Sequence, residues 1–336
     1  MKKSRELQIK TEHHTIGSGE PPYLIAEIGL NHNGDLDLAK RMVDVAFESG
    51  ADAAKFQLYS SEHFIAKSAS FSDGSSVREF FRQYELKRRE WESLAKYVRK
   101  KRMDFLCSVF DLPSLELYLS LNPSIVKIAS GDVNNRILIE AAAGSGLPVL
   151  LSTGTADQRE VDQAVRWIGG RFALMHCVSS YPANPFDFNL RVIPEWIKKY
   201  GVPVGLSDHS LDRTISIAAV ALGATMIERH FTIDKMLSGP DHAISLEPNE
   251  FRELSYSMKN AHRALGDGIK RCTDSELGAR EGGRRSLYAL KTIHAGDTLS
   301  ERNIIALRPG SGLPPEAFYR LAGKPAKKEY AEGDML

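Results

Sequence analysis

The chain has 336 residues, 42% of them apolar, and a formal net charge of +1; that length suits one large domain and a small one, and the balanced charge gives no electrostatic case for nucleic acid or a membrane surface as partner. Three cysteines, Cys107, Cys177 and Cys272, with no Cys-x-x-Cys pair, argue against a disulfide framework. No apolar run reaches the roughly 18 residues of a membrane span, and Met1-Lys2-Lys3-Ser4-Arg5-Glu6 has no apolar segment behind it, so the expectation is a soluble cytoplasmic protein with no signal peptide.

After a short N-terminal extension, residues 1–21, apolar β-branched runs alternate with helix-period segments. The strand candidates are Tyr23–Ile28, Ala53–Gln57, Asp104–Ser108, Ile125–Ala129, Val149–Ser152, Ala173–Cys177, Val202–Leu206 and Thr225–Glu228. Near-continuous apolar runs bounded by turn residues suit parallel strands covered on both faces. Asp35 is placed to cap a helix running to Gly50, with Leu38, Met42, Val45 and Ala46 on one face. Pro113 stands where a first helical turn begins. Eight strand–helix units in about 245 residues match a (β/α)8 TIM barrel over residues 1–265. An open doubly wound sheet is the alternative, and the functional-looking residues that end nearly every strand favour the barrel.

Residues 266–283 are rich in glycine and charge without a clean period, and read as a linker. Residues 284–336 change in character. Short strand-like runs, Arg285–Leu290 and Ile304–Leu307, alternate with His294-Ala295-Gly296-Asp297 and Glu332-Gly333-Asp334 turns, which predicts a small β domain. About fifty residues make a marginal core, so this piece is expected to dock on its own barrel or on a partner subunit.

The strand ends carry the chemistry, because in a barrel of this kind they form one rim. In order they offer Glu27; Lys55 and Gln57; Ser108; Lys127 and Ser130; Ser152; His176, Ser179 and Tyr181; Ser207 and His209; and His230. Lysine is almost never fully buried unless paired, so Lys55 and Lys127 inside apolar runs point to an anion in the barrel mouth. Strand-end hydroxyls and helix-start N–H groups add donors for a phosphate or carboxylate. Glu27 can serve as general base or hold a water. His209 and His230, on successive strands, can share a divalent metal with open positions. Taken singly each has a plainer role. A strand-end serine is commonly a cap, Lys127 also fits a Schiff-base lysine or an internal ion pair, and His32, His176 and His209 also fit structural hydrogen bonding.

The segments Ile25-Ala26-Glu27-Ile28-Gly29, Asn31-His32-Asn33-Gly34, Lys55-Phe56-Gln57, Lys127-Ile128-Ala129-Ser130, Ser152-Thr153-Gly154, Gly205-Leu206-Ser207-Asp208-His209 and Glu228-Arg229-His230-Phe231-Thr232 together resemble the sialic acid synthase family. Residues from Arg285 to Asp334, with Leu307-Arg308-Pro309-Gly310, resemble that family's antifreeze-like (SAF) domain. The likeness runs from about Pro22 to Asp334.

The resemblance implies an enzyme that condenses phosphoenolpyruvate with an N-acylated hexose, such as N-acetylmannosamine, and water. It forms a nine-carbon 2-keto acid and releases phosphate by C–O cleavage. A divalent metal, Mn2+ or Mg2+, is implied, with His209 and His230 as ligands. Lys55, Lys127, Ser108, Ser130, Ser152 and Ser207 would hold phosphoenolpyruvate, and Glu27 would handle water or a proton. Gln57, Tyr181, Asp241 and Arg308 would contact the sugar, Arg308 arriving from the other subunit of a domain-swapped homodimer. Ser179 stands where some members have asparagine, and Ser108 where many have threonine. Ser179-Ser180-Tyr181-Pro182 is similar to members acting on modified bacterial sugars, of pseudaminic or legionaminic type, as much as to those using N-acetylmannosamine. The loop from Tyr59 to Arg82 is not aligned to the family, which leaves the sugar open. The alternatives are a class I aldolase working through Lys127 and a non-catalytic carbohydrate-binding barrel.

Overall fold

The computed structural model describes residues 8–336, which form two compact units dividing after Gly266. In the first, β1 (Gln8–Lys10) and β2 (Thr15–Gly17) pair as an antiparallel hairpin. Eight parallel strands follow: β3 (Tyr23–Gly29), β4 (Ala53–Leu58), β5 (Asp104–Val109), β6 (Val126–Ile128), β7 (Val149–Ser152), β8 (Phe172–Cys177), β9 (Val204–Ser207) and β10 (Met226–His230). They are hydrogen-bonded in chain order and β10 returns to β3, closing the barrel. The closure sets His230 beside Glu27, and Glu27 beside Lys55 on the next strand. The eight expected strands are all present, with ends shifted by one or two residues.

The helices of the outer layer are α1 (Leu36–Glu48), α4 (Arg88–Lys100), α5 (Leu112–Ser120), α6 (Arg136–Gly144), α7 (Gln158–Ile168), α8 (Val192–Tyr200), α9 (Thr214–Ala221) and α10 (Pro248–Leu265). Two short helices, α2 (Ser61–Phe64) and α3 (Val77–Arg82), lie within the long β4–α4 connection. The helix starts follow local chemistry. Asp35 accepts from the Asp37 and Leu38 N–H groups at α1, and Asp111 accepts from Ser114 N–H at α5, where Pro113 sits in the first turn. On α1 the buried stripe is Ala39, Met42, Val43 and Ala46; Leu38 and Val45 flank it, partly buried against the same core.

Strand alternation divides the barrel into layers. Outward residues such as Leu24, Ala26, Phe56, Phe105, Val126 and Leu206 pack against the helices. Inward residues at the lower level, among them Tyr23, Ile25, Leu106, Ile125, Leu150, Met175 and Met226, form a second core that Ile9 and Ile16 of the hairpin complete. Each such fully buried aliphatic side chain contributes about 1.5–3 kcal/mol. The hairpin is held electrostatically as well. The Asp104 carboxylate accepts from Tyr23 OH at 2.8 Å and His13 N–H at 3.2 Å, and lies 3.1 Å from His14 Nδ1. Gly205 is required in this layer, since a Cβ there would sit 2.5 Å from the Met226 carbonyl oxygen. Two residues further along the same strands the inward positions become Glu27, Lys55, Ser108, Lys127, Ser152, Cys177, Ser207 and Glu228. The apolar plug therefore sits directly beneath a polar mouth.

The second unit pairs β11 (Ser286–Ala289) antiparallel with β12 (Ile304–Leu307). Its core is Leu287, Ala289, Ile293, Leu299, Ile304, Ala317 and Ala326. The two Gly-Asp turns are self-braced: Asp297 accepts from His294 N–H and Asp334 from Ala331 N–H, each at 2.8 Å. A short helix, α12 (Phe318–Leu321), covers one side. Residues 266–283, expected as linker, include α11 (Leu277–Gly283) and belong with this unit from Asp267 onward. A capping box between Thr273 and Glu276 starts the helical segment, and Gly310 N–H donates to Glu281 O at 2.8 Å. The glycines of the segment hide this in the sequence.

Candidate active site

A cavity of about 320 Å³ opens among the C-terminal ends of the barrel strands. At its floor, Lys55 Nζ lies 2.7 Å from Glu27 Oε2 and donates to Ser108 Oγ at 3.0 Å. Lys127 Nζ lies 3.2 Å from Glu228 Oε2, and that oxygen is also 3.6 Å from Lys55 Nζ. Ser207 Oγ donates to Glu228 Oε1 at 2.9 Å. All four charged groups are buried, and two acids offset two ammonium groups, which makes this burial tolerable.

The two lysines are not equivalent. Burial pulls the Lys55 ammonium down, but Glu228 and Glu27 outweigh it and hold its pKa above the ordinary value. For Lys127 burial wins over the pull of Glu228, and its pKa is lowered. Burial pushes the Glu228 carboxyl up, yet Lys127 and Lys55 bring it well below the usual carboxylate range. Ser152 Oγ, at the end of β7, is buried with no hydrogen-bond partner. Gly154 N–H donates to Ser130 Oγ at 3.0 Å. A Cβ on Gly154 would come within 2.1 Å of Ser179 Oγ and 2.9 Å of Ser130 Oγ, so glycine lets these hydroxyls close on the backbone.

On the opposite wall, His209 Nδ1 lies 2.8 Å from the Val178 carbonyl. The ring must donate there, so in its neutral form Nε2 keeps the lone pair. The His209 and His230 ring centroids are 5.5 Å apart, and Tyr181 packs 4.2 Å from His209. His230 Nδ1 is buried without a hydrogen-bond partner and lies 3.7 Å from Asp241 Oδ2. Between Glu228 and His230 on β10, Arg229 points the other way, into the helix layer. There it pairs with buried Asp208 at 2.6 Å, and Asp208 accepts from Ser210 N–H at 2.8 Å. This pair fixes the turn that carries His209. Two imidazoles, one with its lone pair freed by a backbone acceptor and one with an orphaned nitrogen, fit a divalent ion that keeps open positions. Among the described residues no three His, Cys, Asp or Glu side chains converge as a metal-binding group, so the remaining positions would fall to water and substrate.

The cavity brings together Glu27, Lys55, Gln57, Ser108, Lys127, Ser130, Ser152, Tyr181, Ser207, His209 and His230. Asp241 stands at its edge beside His230, and Gln57 Nε2 donates to Glu27 Oε1 at 3.3 Å. Arg308 lies in the second unit, exposed just past β12. His32 and His176 lie outside the cavity lining. His32 is buried against Phe56 and Trp91, accepts from Gly34 N–H at 3.1 Å, and is pulled by burial to a pKa of about 4. His176 faces the helix layer, against Trp196, with Nε2 on the Phe188 carbonyl.

Six lining residues are not among the site candidates read from the sequence: Glu228, Cys177, Phe110, Ala129, Gly131 and Thr155. Strand parity would have found the first two. Glu228 shares its face with His230 two residues on, and Cys177 follows outward-facing His176. Cys177 Sγ is 3.9 Å from His209 Nδ1. Burial raises its thiol pKa, but His209, Ser130 and Lys127 together outweigh this and lower it.

Comparison with known proteins gives a consistent result. Residues 42–270 match the NeuB family and residues 284–336 match the SAF domain. The chain is 37% identical over 327 residues to N,N'-diacetyllegionaminic acid synthase of Campylobacter jejuni, covering 93% of this chain and 98% of that one. It is 36% identical over 334 residues to N-acetylneuraminate-9-phosphate synthase of Homo sapiens, covering 96% and 93%. Among solved structures it is similar to N-acetylneuraminic acid synthetase of Leptospira borgpetersenii in complex with citrate, with TM-score 0.74 and 39% identity over 82% of this chain and 95% of that one.

Proposed function

The chain belongs to the NeuB family, and we propose that it condenses phosphoenolpyruvate with an open-chain N-acylated hexose and water, giving a nine-carbon 2-keto acid and inorganic phosphate. The observation that carries this reading is the meeting of buried Lys55 and Lys127 with the Ser108, Ser130, Ser152 and Ser207 hydroxyls in one cavity walled by two imidazoles. A small, highly charged anion is what such a set recognises.

In this reaction carbon 3 of the enol ester attacks the sugar aldehyde, water adds at carbon 2, and the resulting tetrahedral centre expels phosphate with cleavage of the C–O bond. Lys55 and Lys127 offset the charge of phosphoenolpyruvate and of the departing phosphate. The hydroxyls of Ser130 and Ser152, with Ser207 braced on Glu228, fix its orientation. Glu27, bonded to Lys55 and Gln57, orients the water and takes its proton. Gln57, Tyr181 and Asp241 face the sugar side. Mn2+ or Mg2+ held by His209 and His230 would supply Lewis-acid polarisation of the aldehyde. On the same reading the chain works in the cytoplasm as a domain-swapped homodimer whose SAF domain covers the partner's barrel mouth and brings Arg308 to the sugar.

The test is phosphate release from phosphoenolpyruvate with added manganese, using N-acetylmannosamine, its 6-phosphate and diacetamido-trideoxyhexoses, each with and without chelator. Chelator-sensitive release with one of them supports the reading and names the acceptor; no release from folded, metal-loaded protein sinks it. The burial-lowered pKa of Lys127 favours a second reading, a Schiff-base aldolase. Its ion pair with Glu228 opposes that reading, and borohydride trapping of a pyruvate adduct separates the two.

A further inference from the structure

The cavity is polar almost throughout. Of the side chains that line it, only Phe110 and Ala129 are wholly apolar, and Phe110 is the large one. Phe110 follows β5 directly, two residues beyond Ser108, and Ser108 lies beside Gln57 in the strand register. The ring therefore stands one level above the proposed phosphoenolpyruvate floor, toward the mouth.

Phe110 is also held rigidly. Its ring packs 4.8 Å from Phe64 and 6.1 Å from Tyr59. Those two rings belong to a cluster with Leu30, Phe80, Phe81 and Tyr84, supplied largely by the long β4–α4 connection. Tyr59 OH donates to Phe81 O at 2.9 Å, which closes that connection on itself. The next residue, Asp111, accepts from Ser60 N–H at 2.8 Å and Ser114 N–H at 2.7 Å. The backbone on the C-terminal side of Phe110 is thus tied both to the connection and to α5. A ring backed by packed aromatics cannot yield to a longer group without disturbing its neighbours.

We infer that Phe110, braced by the aromatic cluster of residues 59–84, is the wall that measures the N-acyl group of the acceptor sugar. The inference rests on the synthase reading above. Every carbon of an N-acylated hexose bears oxygen or nitrogen except its acyl methyl and any deoxy carbon, and the one large apolar facet of a polar cavity is where such a group is best placed. The β4–α4 connection acquires a function by the same step, since it sets the depth of the facet from behind. One methylene against a hydrophobic wall changes kcat/KM by about 10- to 200-fold.

The test compares wild type, Phe110→Ala and Phe110→Leu in the phosphate-release assay, with N-acetyl, N-propanoyl and N-butanoyl forms of whichever acceptor wild type uses. Thermal unfolding of each variant reports whether it folds. Phe110→Ala is expected to reduce the preference for N-acetyl over N-propanoyl by about tenfold or more, with KM for phosphoenolpyruvate changed less than about twofold. Phe110→Leu, which keeps an apolar side chain and a better-filled site, is expected to fall between. Unchanged acyl selectivity in a folded Phe110→Leu or Phe110→Ala enzyme overturns the inference and leaves the synthase reading standing. Failure of wild type with every acceptor removes the synthase reading and the inference with it.

Discussion

The Lys127 ammonium lies 3.2 Å from the Glu228 carboxylate, both buried at the barrel floor, and that carboxylate also faces Lys55 and accepts from Ser207. One acid therefore holds both lysines that the proposed chemistry needs. Removing it leaves two buried ammonium groups to share Glu27. Glu228→Ala is expected to destabilise the protein by about 3–5 kcal/mol, the cost of breaking a buried pair from one side. Glu228→Gln, which retains a hydrogen-bond acceptor, should cost less. Chemical denaturation of the three proteins measures this. A Glu228→Ala protein as stable as wild type would mean that the lysines do not depend on the pair.

Glu27 occupies a different position, between Lys55 and Gln57. Because it touches one lysine only, Lys127 and the serines remain to bind the anion without it. Glu27→Gln should lower kcat by about 100-fold, the scale of a lost general base, while KM for phosphoenolpyruvate stays within a few-fold. A raised KM with kcat preserved would make Glu27 a binding group instead.

Arg308→Ala tests the proposed exchange of domains. Loss of a charged hydrogen bond to the sugar costs about 1.5–3 kcal/mol, so KM for the acceptor should rise by at least about tenfold with KM for phosphoenolpyruvate unaffected. An unchanged acceptor response would remove Arg308 from the site. Mixing this variant with slowed Glu27→Gln chains extends the test, because a swapped dimer regains one intact site.

The barrel was legible because its strands are buried on both faces and so spell out near-continuous apolar runs. The site was legible where a charge interrupts such a run, as Lys55 and Lys127 do. Glu228 was harder to single out, since its partners lie on β4 and β6, far off in the chain, and only the closed barrel brings them within reach. The hairpin of residues 8–17 and the aromatic cluster of residues 59–84 were hidden for the same reason: each is stabilised by contacts with distant elements, and neither has a period of its own. His32 and His209 look alike in sequence, each just past a strand. What separates them is that His32 turns back onto Trp91 and Phe56, whereas His209 is held over the mouth by the Val178 carbonyl and the Asp208–Arg229 pair.

Metal binding should depend on both imidazoles. His209→Ala and His230→Ala are each expected to lower bound manganese, measured by elemental analysis after gel filtration and by the electron paramagnetic resonance of free Mn2+. His176→Gln, altered in the helix layer away from the cavity, should bind manganese as wild type does. Full manganese occupancy in either alanine variant would move the metal elsewhere. Asp208→Asn offers a finer check. It weakens the pair with Arg229 that fixes the His209 turn, so metal affinity should fall although no ligand is lost, on the order of the 10- to 100-fold typical of residues that orient ligands.

At the other end of the barrel, His14 and Asp104 make stability depend on pH. The Asp104 hydrogen bond is the main cause that raises the His14 pKa above its ordinary 6.5, against burial, and Asp52 adds to it. Burial pushes Asp104 up, but the hydrogen bonds from His14, Thr11 and Tyr23 outweigh it and hold it below its ordinary 3.8. Folding thus favours protonated His14 and ionised Asp104. The His14 contribution is complete below 6.5 and is lost as pH rises through the raised folded value; the Asp104 contribution is present above 3.8 and is lost as pH falls through the lowered one. The His14–Asp104 contact should hold the hairpin most firmly between these limits. Urea unfolding at pH 5.5 and pH 8.5 should show wild type losing stability on going to the higher pH, by more than His14→Gln loses, because glutamine has no proton to give up. An equal loss in both would place the pH dependence in other groups.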